Sequence, residues 1–98
     1  SRVVAPVVRP GTEPVWHLFV VRCPERDGLQ AHLKQRQIGT MLHYPRACHL
    51  QGAYASDHWP PLPVAVRLQS EILSLPIAPY MTTEDVQIVV DAVRSFYD

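Results

Sequence analysis

The chain has 98 residues, of which 47% are hydrophobic and 18% are charged, and its Lys and Arg balance its Asp and Glu. This size and composition predict one folded domain rather than a disordered chain. The zero net charge, with no run of like charge, predicts no nucleic-acid surface, because phosphate binding needs concentrated basic residues. No apolar run approaches the length of a membrane span, so no membrane contact is predicted and the protein is expected to be cytoplasmic.

The first part of the chain is rich in turn-forming residues. Residues 1–14 contain three prolines and a glycine and show no helical periodicity, so they are predicted to be an extended lead-in or linker. Residues 15–98 are predicted to form a single α+β domain. The chain begins with Ser1 rather than Met, so further sequence is expected upstream. The two cysteines, Cys23 and Cys48, are too few for a disulfide-built scaffold and are expected to be reduced.

Residues 15–22 are rich in β-branched and aromatic side chains, which predicts a first strand. Between residues 25 and 37, Leu29 and Leu33 stand four apart among polar residues, which predicts a short amphipathic helix. Gly28 weakens the first turn of this helix by up to about 1 kcal/mol.

The middle of the chain alternates extended and helical patterns. Residues 38–44 predict a second strand, which ends before a proline, and residues 49–54 predict a single helical turn. The proline-rich run 59–63 forces a loop. Apolar residues at helical spacing predict a helix over 64–75, and residues 75–79 predict an edge strand, where proline is tolerated.

The last segment carries the strongest helix signals. Thr82 is a favourable N-cap with Asp85 three residues later, and Met81 and Val86 occupy the hydrophobic-staple positions. The element order therefore predicts an α+β fold in which a small sheet of about three strands is covered by helices. The apolar face of the last helix is predicted to comprise Val86, Val89, Val90, Val93, Phe96 and Tyr97.

The densest group of reactive side chains is the segment 43–49. Its histidines and thiol are zinc ligands, but their spacing matches no zinc-finger arrangement, so no metal site is predicted. Cys48 and His49 could act as nucleophile and base, yet adjacent residues rarely point at each other, and Cys48 is expected to be a small apolar filler. His17 and His32 are expected to be structural. The residues alone predict no catalytic site.

Six short segments nevertheless form an ordered pattern: Trp16 to Arg22, His43-Tyr44-Pro45, His49 to Tyr54, Pro63 to Ala65, Leu73 to Pro79 and Met81 to Glu84. This pattern resembles the C-terminal part of the DegT/DnrJ/StrS family of pyridoxal 5'-phosphate (PLP)-dependent sugar-nucleotide aminotransferases. The resemblance covers nearly everything from Val15 to Asp98.

The resemblance implies the small C-terminal domain of an aspartate-aminotransferase-like fold. It also implies a large upstream domain that binds PLP, a homodimer of the parent enzyme, a keto-sugar nucleotide as substrate and an amino acid, typically glutamate, as donor. The family's Schiff-base lysine belongs to the large domain, whereas Lys34, the only lysine here, is expected on the polar side of a helix. No cofactor is therefore expected in this chain, which should be inactive alone.

The resemblance further implies that His43 and Tyr44 lie near the mouth of the active site, where the sugar nucleotide enters. An equally weighted alternative is that Pro45 fixes the turn, Tyr44 packs and His43 caps it. The sequence departs from the family pattern at residues 46–48, where a second proline is common, and this departure bears on the loop that faces the substrate. The competing function is an autonomous, non-catalytic α+β domain that binds a ligand or a protein.

Overall fold

The computed structural model describes residues 2–98, which form a small sheet, three α-helices and two short 3-10 helices. The predicted α+β class is confirmed. In chain order the elements are β1 (Phe19–Arg22), α1 (Arg26–Gln35), the 3-10 helices Cys48–Leu50 and Gly52–Tyr54, α2 (Pro63–Glu71), β2 (Ile72–Leu75) and α3 (Thr83–Ser95).

The two strands pair antiparallel, with Phe19 opposite Leu75 at one end of the ladder. Each strand also carries one isolated bridge on its outer edge: Val4 pairs with Arg22 of β1, and Met41 pairs with Ser74 of β2. The pairing of Val4 brings part of the predicted lead-in onto the sheet. The domain boundary predicted after Pro14 stays a prediction.

The bridge at Val4 does not extend along β1, and the sequence gives a reason. In an antiparallel register, Pro6 would lie opposite Val20, and proline has no N–H with which to continue the ladder. The lead-in is therefore attached to the sheet by the two backbone hydrogen bonds between Val4 and Arg22, of 2.9 and 3.0 Å.

The core lies between one face of the sheet and two helices. Val21 and Leu73 of the strands are buried together with Leu29 and Leu33 of α1 and Ala92 of α3. Burying a leucine side chain contributes roughly 1.5–3 kcal/mol, so the two α1 leucines account for much of the attachment of this helix. Because successive strand residues point to opposite faces, the neighbours of Val21 and Leu73 point away from α1 and α3.

Both predicted early strands are shorter in the structure. The first begins at Phe19 rather than residue 15, because Trp16 has a φ of 44°, which an extended strand cannot accommodate. His17 consequently lies outside the strand and is exposed, so its predicted place inside a strand is wrong. The second predicted strand, 38–44, is reduced to the single bridge at Met41.

The predicted helix over 64–75 is too long at its C-terminus. The helix ends at Glu71. The last four residues of the predicted helix, Ile72–Leu75, form β2 instead. The strand predicted over 75–79 is therefore misplaced, since β2 ends at Leu75. Arg26, 8% exposed, donates to the carbonyl oxygens of Gln69 and Ile72 at 3.2 and 3.0 Å and so satisfies the C-terminal end of α2.

The predicted start of the last helix is confirmed. Thr82 Oγ1 accepts a hydrogen bond from the Asp85 backbone N–H at 3.1 Å, and the Asp85 carboxylate accepts from the Thr82 N–H at 2.9 Å. The backbone and side-chain hydrogen bonds from Thr82 lower the pKa of Asp85. His32 is structural, as predicted, since its Nε2 lies 3.0 Å from both Ala92 O and Ser95 Oγ of α3. None of the helices within residues 2–98 is long and apolar enough to span a bilayer.

Candidate functional site

The chain reaches the segment 43–49 along the outer edge of β2. Gln37, with a φ of 61°, turns the backbone after α1, and Met41 then exchanges two backbone hydrogen bonds with Ser74, of 3.1 and 2.9 Å. This pairing places the side chains that follow Met41 beside the strand. His43 thus lies on the face of the sheet opposite α1 and α3, where it is half-buried.

His43 is held by one side-chain contact. Its Nδ1 lies 2.8 Å from Ser74 Oγ, and Ser74 is only 5% exposed. The ring of Tyr44 meets the His43 ring edge to face, with centroids 5.4 Å apart and an interplanar angle of 86°. Tyr44 is 68% exposed and therefore does not pack into the core. The structure brings both predicted site residues together at the surface, and their role toward a substrate stays a prediction.

Two further contacts fix the turn that follows, which comprises residues 43–47. The Ala47 backbone N–H donates to Gln69 Oε1 of α2 at 2.8 Å, which ties the end of the turn to the helix. The Gln51 side chain donates to Arg46 O at 3.2 Å and links the turn to the first 3-10 helix. The Met41–Ser74 hydrogen bonds before the turn and the Ala47–Gln69 hydrogen bond at its end therefore hold the backbone on both sides of Tyr44.

The proline-rich loop after the turn forms an open groove. Trp59 donates from its indole N–H to Tyr54 O at 3.2 Å, and the two rings lie 6.1 Å apart at 82°. The groove has a volume of about 550 Å³, and its lining includes His49, Leu50 and Trp59. This groove lies along the chain after the turn and adds an apolar surface next to it.

The turn exposes a positive side chain. Arg46 is exposed and forms no ion pair within residues 2–98. Cys48 is also exposed, so its predicted role as an apolar filler is wrong: the first 3-10 helix carries it on the surface. Across the described residues, no three His, Cys, Asp or Glu side chains converge in a way that could hold a metal ion.

Comparison with known proteins identifies the family. Residues 2–94 match the model of the DegT/DnrJ/EryC1/StrS aminotransferase family. The chain belongs to this family. The resemblance inferred from the ordered segments is therefore confirmed.

Several family members are closely similar to the chain. It is 46% identical over 93 residues to the dTDP-3-amino-3,4,6-trideoxy-alpha-D-glucose transaminase of Streptomyces venezuelae, covering 93% of the chain and 24% of the relative. It is 42% identical over 91 residues to the dTDP-3-amino-3,6-dideoxy-alpha-D-galactopyranose transaminase of Aneurinibacillus thermoaerophilus, covering 93% of the chain and 25% of the relative. The crystal structure of S. venezuelae DesV in complex with a ketimine intermediate matches all of the chain and 27% of DesV, with a TM-score of 0.94 and 43% identity. The chain spans about a quarter of the length of the relatives it matches.

The residues of this chain do not fit the cofactor that the resemblance implies for the parent enzyme. A PLP-binding lysine must be held out of water beside groups that bind the cofactor ring and phosphate. Lys34, the only lysine, is exposed on α1. No step of cofactor chemistry can therefore be assigned to residues 2–98.

Sequence reasoning did not find two residues that shape the turn in this family member. Ser74 holds His43, and Gln69 holds Ala47. A signal for Ser74 was present, because it is a polar residue between Leu73 and Leu75 in an apolar segment. Nothing in the local pattern marked Gln69, which lies on a helix among other polar residues.

Proposed function

We propose that this chain is the C-terminal domain of a PLP-dependent aminotransferase. The parent enzyme transfers an amino group from an amino acid, typically glutamate, to a keto-sugar nucleotide, and it acts in the cytoplasm. The observation that carries the proposal is the family match across residues 2–94. It is supported by two relatives named as transaminases of dTDP-linked amino sugars, each at least 42% identical to the chain.

The upstream part of the parent protein is proposed to hold the cofactor and to form the homodimer. The exposed position of Lys34 supports this division, since no lysine of the chain is buried. The small domain would then contribute substrate contacts and close one side of the cleft. On this proposal the isolated chain is inactive.

Within this chain, the turn at residues 43–47 is proposed to line the entrance for the sugar nucleotide. The exposed phenol of Tyr44 and the imidazole of His43 supply hydrogen-bonding groups for sugar hydroxyls or phosphate oxygens. Arg46, exposed beside them, supplies the positive charge that a diphosphate favours. These three side chains share one turn that is tied to β2 and α2.

The direct test is transfer of labelled nitrogen by the full-length parent protein. The purified protein, loaded with PLP, is incubated with ¹⁵N-glutamate and a dTDP-keto-sugar, and the nucleotide fraction is analysed by mass spectrometry. The proposal expects an amino-sugar nucleotide carrying one ¹⁵N, and no product from the 98-residue chain alone. Full cofactor loading without nitrogen transfer to any of several dTDP- and UDP-keto-sugars would contradict it, and sugar-nucleotide binding by the isolated chain would instead favour a non-catalytic binding domain.

A further inference from the structure

Ser74 is an unusual residue for its position in the sheet. It lies in β2 between Leu73, which is fully buried, and Leu75, which packs against the core, yet its own side chain faces the opposite side. The residue is 5% exposed. A buried hydroxyl needs a hydrogen-bond partner, and the partner here is His43 Nδ1 at 2.8 Å.

The direction of this hydrogen bond follows from what surrounds the hydroxyl. Within residues 2–98, Ser74 Oγ has no other side-chain or backbone acceptor for its proton. If His43 Nδ1 donated, the hydroxyl proton would be left without an acceptor in a buried place, at an energetic cost. Ser74 therefore donates to Nδ1. His43 then carries its proton on Nε2.

The imidazole is held at three points. The backbone of Met41, two residues before His43, is hydrogen-bonded to Ser74. The His43 Nδ1 accepts from the Ser74 hydroxyl, and one side of the His43 ring contacts the Tyr44 ring. Nε2 makes no hydrogen bond to any described residue. The ring thus presents a single free N–H donor from a fixed position on the face of the sheet opposite α1 and α3, where His43 is half-buried.

We propose that Ser74 is a positioning residue that fixes the His43 imidazole so that its Nε2–H donates to an oxygen of the substrate. This inference rests on the proposed function, because it takes the turn as part of the sugar-nucleotide entrance. Ser74 touches no substrate. It acts by setting the orientation and the protonated nitrogen of His43, and a pre-set donor loses less conformational freedom on binding than a mobile one.

The kinetic test replaces Ser74 in the full-length enzyme. Ser74→Ala is expected to raise KM for the sugar nucleotide about five- to tenfold, the effect of losing one well-placed hydrogen bond, and to leave KM for glutamate unchanged. Ser74→Thr keeps the hydroxyl and should restore the wild-type KM. If the extra methyl group of threonine disturbs the strand, Ser74→Cys is used instead, since it adds no methyl group and its thiol is a weaker donor.

Ser95 offers a matched control, because its hydroxyl lies 3.0 Å from the ring nitrogen of another histidine, His32, on the far side of the core. In that contact the Ser95 hydroxyl donates to Ala92 O and accepts from His32 Nε2, the reverse of the Ser74–His43 direction. Ser95→Ala therefore removes a serine–histidine hydrogen bond away from the turn and should leave both KM values unchanged. If Ser74→Ala and Ser95→Ala lower the melting temperature alike and neither changes KM, Ser74 is only a structural residue and the inference is wrong.

Crystal structures of the full-length wild type and Ser74→Ala, with and without the sugar nucleotide, separate this inference from the proposed function. The inference expects the His43 ring to leave its wild-type orientation in Ser74→Ala. It is overturned if the ring keeps the same place without the hydroxyl. Should the wild type transfer no amino group, the proposed function fails, and the position of the ring still decides whether Ser74 holds it.

Discussion

Tyr97 and Cys23 form a polar contact at the edge of the core, close to the N-terminal residues. The Tyr97 hydroxyl lies 2.7 Å from Cys23 Sγ, and Cys23 is fully buried. Arg2 covers the Tyr97 ring, with its guanidinium carbon 5.7 Å from the centroid, and pairs with Glu25 at 3.2 Å. Burial, followed by the hydrogen bond to Cys23, raises the pKa of Tyr97 well above its ordinary range.

This raised pKa predicts a loss of stability in alkali. A folded-state pKa above the unfolded value of about 10 means that the folded state holds the proton more tightly, so stability falls as pH rises above about 10. Tyr97→Phe should therefore show a weaker dependence of unfolding free energy on pH in this range, measured by denaturant titration at several pH values. The control is Tyr80→Phe, at a residue 85% exposed. Equal slopes for wild type and Tyr97→Phe would contradict the prediction.

Single polar residues were the hardest to assign from the sequence. Thr82 and Asp85 could be predicted because a capping box has a fixed spacing and lies at a recognisable helix start. Arg26 and Ser74 could not, since each acts through a partner more than 30 residues away: Arg26 through carbonyl oxygens near the end of α2, and Ser74 through His43. Sequence spacing carries no information about such contacts.

At the scale of elements, helices were predicted better than strands. The apolar residues Val64, Leu68, Ile72 and Leu75 recur every three or four positions, and the same residues fit a helix that ends at Glu71 and a four-residue strand after it. In β2 both Leu73 and Ser74 are buried, so the alternation that marks a half-exposed strand is missing. Periodicity alone could not separate these two arrangements.

The contact between α1 and α3 leads to a prediction about Gly28. A β-carbon at Gly28 would lie 3.1 Å from Cζ of Phe96, which is closer than carbon atoms normally pack. Replacing glycine by alanine in a helix usually stabilises a protein by up to about 1 kcal/mol. Here the Phe96 ring would have to move, so Gly28→Ala should give no net stabilisation in thermal unfolding.

A double-mutant cycle checks the cause. In a Phe96→Leu background the ring is gone, and Gly28→Ala should then stabilise relative to Phe96→Leu alone, with a coupling of at least about 0.5 kcal/mol between the two changes. Full stabilisation by Gly28→Ala in the wild type would show that the ring yields without cost. Additive effects would show that the two residues do not interact.

At the scale of the whole molecule, much apolar surface is exposed. An apolar cleft of about 360 Å³ lies between the end of the sheet and α3. Trp16, Trp59 and Val7 are 39%, 48% and 90% exposed. Exposed apolar patches of more than a few hundred Å² usually mark contact surfaces. The lining of the cleft includes Phe19, Leu75, Ile77, Met81, Val86 and Val90.

The isolated chain is therefore expected to self-associate with rising concentration. We expect the upstream part of the parent protein to cover part of this surface. Val86→Lys places a charge in the cleft and should weaken association in sedimentation velocity experiments, whereas Val64→Lys, at an exposed site of α2 outside the cleft, should not. A chain that stays monomeric at all concentrations would contradict the prediction.

The sequence predicted the turn at residues 43–47 only through the family resemblance. Chemistry-bearing residues are dense there, but nothing in their spacing distinguishes a substrate entrance from a surface loop. The structure adds that Tyr44 is exposed and that His43 is anchored by Ser74 on the face of the sheet opposite α1 and α3. We propose that the rest of the active site lies in the part of the parent protein that corresponds to the remaining three quarters of the relatives.

The most direct test of the account is the separate measurement of KM for both substrates in the full-length enzyme after changes at the turn. His43→Gln and Tyr44→Phe should each raise KM for the sugar nucleotide, by about tenfold for His43→Gln, while KM for glutamate, cofactor content and melting temperature stay close to wild type. His17→Gln, at an exposed histidine outside β1, should change none of these values. If the changes at His43 or Tyr44 instead melt the domain, and the enzyme that remains folded keeps the wild-type KM for the sugar nucleotide, the turn is structural and the central claim is wrong.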